Sequence, residues 1–69
     1  MSDPEYRDHA LLRRRVRDIA SGIEGELMAV INEDMSTGVI PQRIDLAYIR
    51  KADGREFTTA AANVEAADQ

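Results

Sequence analysis

Between Leu12 and Val30 the large aliphatic residues fall at positions 12, 16, 19, 23, 27 and 30, an average spacing of about 3.6. Few patterns restrict a short chain more. That spacing is the period of an α-helix and puts all six side chains on one stripe. Leu12, Val16, Ile19, Ile23, Leu27 and Val30 are therefore the expected core or dimer seam of a long amphipathic helix, widened on one side by Ala20 and Ile31. Asp3, Pro4 and Glu5 supply a start: an N-cap oxygen, a proline at the first helical position and an acid at the positive end of the dipole. Ser36, Thr37 and Gly38 supply a stop, and Pro41 prevents resumption. The expected helix covers about residues 4–35, with a turn over 36–42. At 1.5 Å per residue it is roughly 48 Å long.

Gly22 and Gly25 count against an uninterrupted rod, each costing about 1 kcal/mol relative to Ala. They either split it into two helices around SGIEG or line a flank, with Ala29, that lets another backbone approach. The stripe keeps its phase across both glycines, which favours the continuous helix.

The period changes in the second half. In RIDLAYIRK, Ile44, Leu46 and Tyr48 alternate with Arg43, Asp45 and Ala47, the pattern of a half-buried strand. Ala52, Asp53 and Gly54 form a turn, and Phe57, Thr58 and Thr59 follow. A hairpin is expected at about 43–51 and 55–64. A two-residue Asp-Gly loop sets Lys51 opposite Glu56, whereas a three-residue loop sets Arg50 there; both are favourable charge pairs. Residues 60–69 are compatible with helix, through their alanines, or with a strand reaching Val64, and the last few are expected to fray. The expected fold class is thus α+β: one long N-terminal amphipathic helix and an antiparallel β-hairpin, in a single small domain spanning 1–69.

Such a chain has little to hold it together. Domains of this size bury only about 60% of their unfolded surface and commonly rely on disulfides, metals or partners. Cysteine is absent and there is one histidine, so disulfides and thiolate metal sites are excluded and no cofactor or metal is expected. A hairpin strand of about 26 Å covers half of a 48 Å helix. Homodimerisation is the expected remedy, through the glycine flank or edge to edge through the hairpins.

The chemistry-bearing residues point to binding. RRRVRD, residues 13–18, is the most basic stretch, but on a helix its arginines fan around the polar circumference, and Arg14 can pair with Asp18. Thirteen acids against nine bases give a net charge of −4, unlike a protein that neutralises phosphates. His9 is expected to be exposed on the first helical turns, with no base, acid or nucleophile beside it. Glu26, Glu33 and Asp34 are read as an acidic solvated end and not a cation site. No apolar run spans a bilayer, and no secretory signal opens the chain, so a cytoplasmic, non-enzymatic protein is expected.

In size, acidity and lack of cysteine the whole chain resembles the small accessory regulators that phages and other mobile elements encode against host proteins. No motif carries that resemblance. It implies a protein-binding module that modulates or inhibits a larger protein partner of unstated identity. The contact residues expected from exposure and type are Arg14, Arg17, Arg43, Tyr48, Arg50 and Arg55. The alternative is a small dimeric DNA-binding regulator, with a strand ribbon carrying Arg43, Arg50, Lys51 and Arg55 or a split helix used as a helix-turn-helix.

Overall fold

The computed structural model describes residues 5–34, 38 and 42–67, and these are built from strands. β1 (Glu5–Arg7), β2 (Arg15–Asp18), β3 (Glu24–Asp34), β4 (Arg43–Arg50), β5 (Glu56–Ala60) and β6 (Val64–Ala66) join in one antiparallel sheet, with a single 3-10 turn at Ala61–Asn63. The expected α+β fold is thereby overturned, since β1, β2 and β3 occupy the stretch assigned to the long helix. The helix start at Asp3 and Pro4 and the stop at Ser36, Thr37 and Pro41 lie outside the described residues.

A local irregularity explains why the helical period misleads. Leu27 and Val30 both face the core although they stand three positions apart, because a β-bulge at Met28 shifts the β3–β4 register between Leu27 and Ala29. One extra residue in a strand lengthens an inward spacing of two to three, which imitates a helical step. The glycines serve the strands. Gly22 has φ +77° in the turn from β2 to β3, a conformation that L side chains rarely adopt. A Cβ on Gly25 would lie 2.8 Å from the Arg50 carbonyl carbon and from Ile49 Cγ2, so β3 can approach β4 there only as glycine. Val16, Ile19, Ile23, Val30 and Ile31 are β-branched, which also favours pleated backbone.

The core consists of Val16, Leu27, Val30, Ala47 and Ile49, with Leu11, Leu12, Phe57, Ala61 and Val64 packed against it. Of the six stripe residues, Val16, Leu27 and Val30 lie in this core and Leu12 at its margin. Ile23 is half-buried, whereas Ile19 is 58% exposed on the β2–β3 turn and belongs to no core. Leu11 and Leu12 come from the segment between β1 and β2, strands that lie end to end along the same edge of β3. This segment is stitched to β3 by the Arg13 amide donating to the Leu27 carbonyl (2.8 Å) and the Leu27 amide donating to the Arg14 carbonyl (3.0 Å).

The sheet has to curl. Its main path runs β5-β4-β3-β2-β6, so flat geometry would hold β5 and β6 about 19 Å apart. One 3-10 turn carries the chain from Ala60 to Val64, a rise of only about 8 Å. The two edges are therefore drawn together into a small, partly closed barrel. A buried carboxylate fastens the closure. Asp18, 2% exposed at the end of β2, accepts the Thr59 hydroxyl of β5 at 2.8 Å and the Ser21 amide and hydroxyl at 3.0 and 2.5 Å. The Ser21 hydroxyl first, then Thr59, hold this carboxyl below its usual range, against the opposing effect of burial.

The β4–β5 hairpin takes the three-residue loop. Arg50 is opposite Glu56, Lys51 and Arg55 are joined by a 2.8 Å backbone bond, and Gly54 has φ +87°. Beyond the barrel, β1, β3 and β4 continue as a three-stranded ribbon that stretches the molecule to 41 × 23 × 22 Å. Among the described residues no helix is long and apolar enough to cross a membrane.

Candidate protein-binding face

Side chains alternate across a strand, so the register fixes which residues face away from the core. In β4, Ala47 and Ile49 are buried. Ile44, Leu46 and Tyr48 therefore point outward, the opposite of the phase that the alternation suggests when read as a half-buried strand. Their cross-strand partners share that outer face: Tyr48 with Ala29 and Thr58, Leu46 with Ile31 and Ala60, Ile44 with Glu33. On the other side of β3, Tyr6 is paired with Ile31. Tyr6 is 71% exposed, while Ile31, Ile44, Leu46 and Tyr48 are partly exposed. Tyr6, Ile31, Ile44, Leu46 and Tyr48 thus form an apolar band on the outer face of the ribbon.

The opposite side of the same ribbon is polar and well satisfied. Asn32 donates to Asp45 at 2.7 Å and accepts from Arg43 at 2.5 Å. Glu5 pairs with Arg7 (2.9 Å) and Arg43 (3.5 Å), and Arg7 also lies 3.7 Å from Asp45. Usually the apolar side of a sheet meets the core and the polar side meets water. The ribbon reverses that arrangement. One polar group borders the apolar band: the Tyr48 hydroxyl donates to the Glu33 carboxylate. That bond, then partial burial, raises the Tyr48 pKa above the ordinary phenol value.

Over the barrel the same outer face is ionic. Arg15, Glu26, Arg50 and Glu56 stand in register across β2, β3, β4 and β5, and Glu65, Arg17 and Glu24 across β6, β2 and β3. Opposite charges alternate in both rows. Arg15 lies 3.1 Å from Glu24, Arg17 2.9 Å from Glu65 and 3.4 Å from Glu24, and Arg50 3.8 Å from Glu56. The Glu65 bond and charge, and then Glu24, raise the Arg17 pKa still further.

The residues expected to make contacts are consequently dispersed. Arg17 and Arg50 belong to the ionic rows, Arg43 to the polar side of the ribbon and Tyr48 to the apolar band. Arg14 is exposed just before β2, and Arg55 is exposed in the hairpin loop, where its amide donates to Asp53. Tyr6, Ile31, Ile44 and Leu46 were not among them. Their signal was available, because β4 carries apolar residues in both phases, Ile44, Leu46 and Tyr48 as well as Ala47 and Ile49. His9, expected on a helix, lies between β1 and β2, half-buried, with Nδ1 accepting the Leu11 amide at 3.1 Å. It helps line an open cleft of about 510 Å³ beside Ile44, floored by Ala60, Ala61 and Ala62. Among the described residues no cluster of three or more His, Cys, Asp or Glu side chains has the geometry of a metal site. Compared with known proteins, the chain matches no family model, and no curated protein or solved structure is significantly similar to it.

Proposed function

We propose that this chain is a protein-binding module that modulates a larger partner, docking through the apolar band of its ribbon. The observation that carries this reading is the reversed polarity of the ribbon: Tyr6, Ile31, Ile44, Leu46 and Tyr48 face away from the core while a satisfied polar network lies beneath. Aromatic and aliphatic side chains framed by charges are what a protein surface of matching shape buries. The partner therefore presents an apolar patch, with a donor or cation facing Glu33. The DNA-binding alternative draws no support from the arginines of the barrel face, because each ionic row sets a glutamate beside every arginine.

The test begins with retention of host proteins on the wild-type chain and on Leu46→Lys, followed by calorimetry with the purified candidate. Expected is a negative heat-capacity change on binding, at least tenfold weaker binding for Tyr6→Lys and Leu46→Lys, and unchanged binding for Arg15→Ala. Equal affinities for all four chains would overturn the apolar band as the contact surface. Salt-sensitive binding to arbitrary duplex DNA at physiological ionic strength would replace this reading with the alternative.

A further inference from the structure

The edge of the ribbon carries information that its face does not. β1 is paired with β3 on one side, and among the described residues no strand pairs with its other side. Its sequence is Glu5-Tyr6-Arg7, an acid and a base flanking the most exposed large hydrophobic residue of the described chain. Read in the opposite direction, that order is its own complement.

We infer that β1 is a homodimerisation edge, pairing antiparallel with β1 of a second copy about a two-fold axis at Tyr6. In this register Glu5 of each copy stands opposite Arg7 of the other, and the two Tyr6 side chains stand opposite one another on the apolar side. Residues directly opposite in an antiparallel pair have Cβ atoms about 4.5–5.5 Å apart, close enough for both ion pairs and for ring contact. Neighbouring symmetric registers are disfavoured. Centring the pair on Glu5 sets two carboxylates face to face, and centring it on Arg7 sets two guanidinium groups face to face. The charges thus select the Tyr6-centred register.

The Glu5 and Arg7 side chains are available for this exchange. They are about half exposed, at 51% and 50%. Their present partners are each other and, across β3, Arg43 and Asp45 of β4, surface ion pairs that contribute little and can be exchanged. Antiparallel self-pairing is isologous, so it closes at two copies and propagates no further along that edge. It also joins two apolar bands into one continuous surface across β4, β3 and β1 of both copies. The inference goes beyond the proposed binding function, since the dimer forms or fails to form without any other partner.

Sedimentation equilibrium of the full chain from about ten micromolar to one millimolar tests it, a range suited to a short edge contact. The wild type is expected to shift from 7.7 kDa toward twice that mass. Glu5→Arg alone makes the edge wholly basic, and Arg7→Glu alone makes it wholly acidic. Each is expected to weaken self-association at least fivefold. Mixing these two chains joins opposite edges and is expected to restore association between them, and the double variant Glu5→Arg/Arg7→Glu to restore self-association. If either charge variant loses its β-sheet circular dichroism, Tyr6→Asp decides, because that outward side chain takes no part in the core. Its expected effect is loss of the dimer with the fold kept. A wild type that stays monomeric to one millimolar, a mixture that associates no better than its components, or a folded Tyr6→Asp that still dimerises would overturn the inference.

Discussion

The outer face of this sheet has two halves, sharing β3 and β4 and bathed by the same solvent, yet opposite in character. Over the barrel it is a board of alternating charges: Arg15, Glu26, Arg50 and Glu56 in one row, Glu65, Arg17 and Glu24 in the next. Over the ribbon it is Tyr6, Ile31, Ile44, Leu46 and Tyr48. Both halves cover a sheet, but only the first covers a core, formed by Val16, Leu27 and Ile49 on its inner side. On the proposed reading, the difference separates where folding energy and recognition are kept. The barrel is stabilised from within and coats its outside with charges of alternating sign. The ribbon has little apolar material inside and carries its own on the outside, where Tyr6 is largely exposed and Ile31, Ile44, Leu46 and Tyr48 are partly so.

The largest expected effect contrasts the two sides of the sheet. Leu27 is fully buried, so Leu27→Ala is expected to cost about 2–5 kcal/mol, most of the stability such a small domain possesses. Leu46→Ala, on the apolar half, is expected to cost no more than about 1 kcal/mol. Urea unfolding of the two variants measures this directly. Similar losses would make the apolar band a second core and dissolve the distinction between the halves.

A smaller effect sharpens the comparison by pH. Asp18 fastens the barrel and has no counterpart in the ribbon. Its carboxyl is lowered in the folded state, from an ordinary value of 3.8, by Ser21 and Thr59. Its stabilisation is therefore fully present above the unfolded value and disappears as pH falls through the lower folded value. Thermal melts of the wild type are expected to drop steeply over this acid range, and those of Asp18→Asn to depend on pH less. Hydrogen exchange should place the acid-induced loss at the contacts of β2 with β5 and β6, with the β3–β4 ribbon bonds opening later. Parallel acid limbs for the two chains would mean that other carboxylates govern.

The smallest effect belongs to the charged half. Arg15 has a side chain 57% exposed, and ion pairs in such surroundings contribute about 0–1 kcal/mol. Arg15→Ala is expected to change stability by no more than about 0.5 kcal/mol, and less in 1 M salt, where screening is nearly complete. A loss above 2 kcal/mol would promote the ionic rows from coating to structure.

Much of the inner side was legible in the sequence. Val16, Leu27 and Val30 stand out as apolar positions whichever element they occupy, and Asp53-Gly54 marks a hairpin turn whose two registers differ by one charge pair. The β4–β5 hairpin was legible as strands, but the element type of the stretch before it, read as one long helix, was not. A bulge at Met28 and a turn around Gly22 happen to sum to helical spacing, and bulge positions depend on the partner strand, β4, which lies far along the chain. The β-branched residues and the two glycines are the features of this stretch that oppose the helical period. The outer band was hidden for a related reason. With Ile44, Leu46 and Tyr48 in one phase and Ala47 and Ile49 in the other, the larger set looks inward, yet pairing with Val30 and Leu27 buries Ala47 and Ile49.

The 3-10 link at Ala61–Asn63 bears on how the chain is made. It delivers β6 to β2, joining Arg17 to Glu65 across 48 positions of sequence. At translation rates of 5–20 residues per second, roughly 2–10 s separate the synthesis of these two partners. Throughout that interval β2 has β3 on one side and a bare edge on the other. A nascent chain in this condition is a template for any extended segment nearby, and a ribosome that pauses before residue 64 prolongs it. The safeguard is brevity: β2 is four residues long and alternates arginine with valine and aspartate, a poor surface for a stray strand to copy.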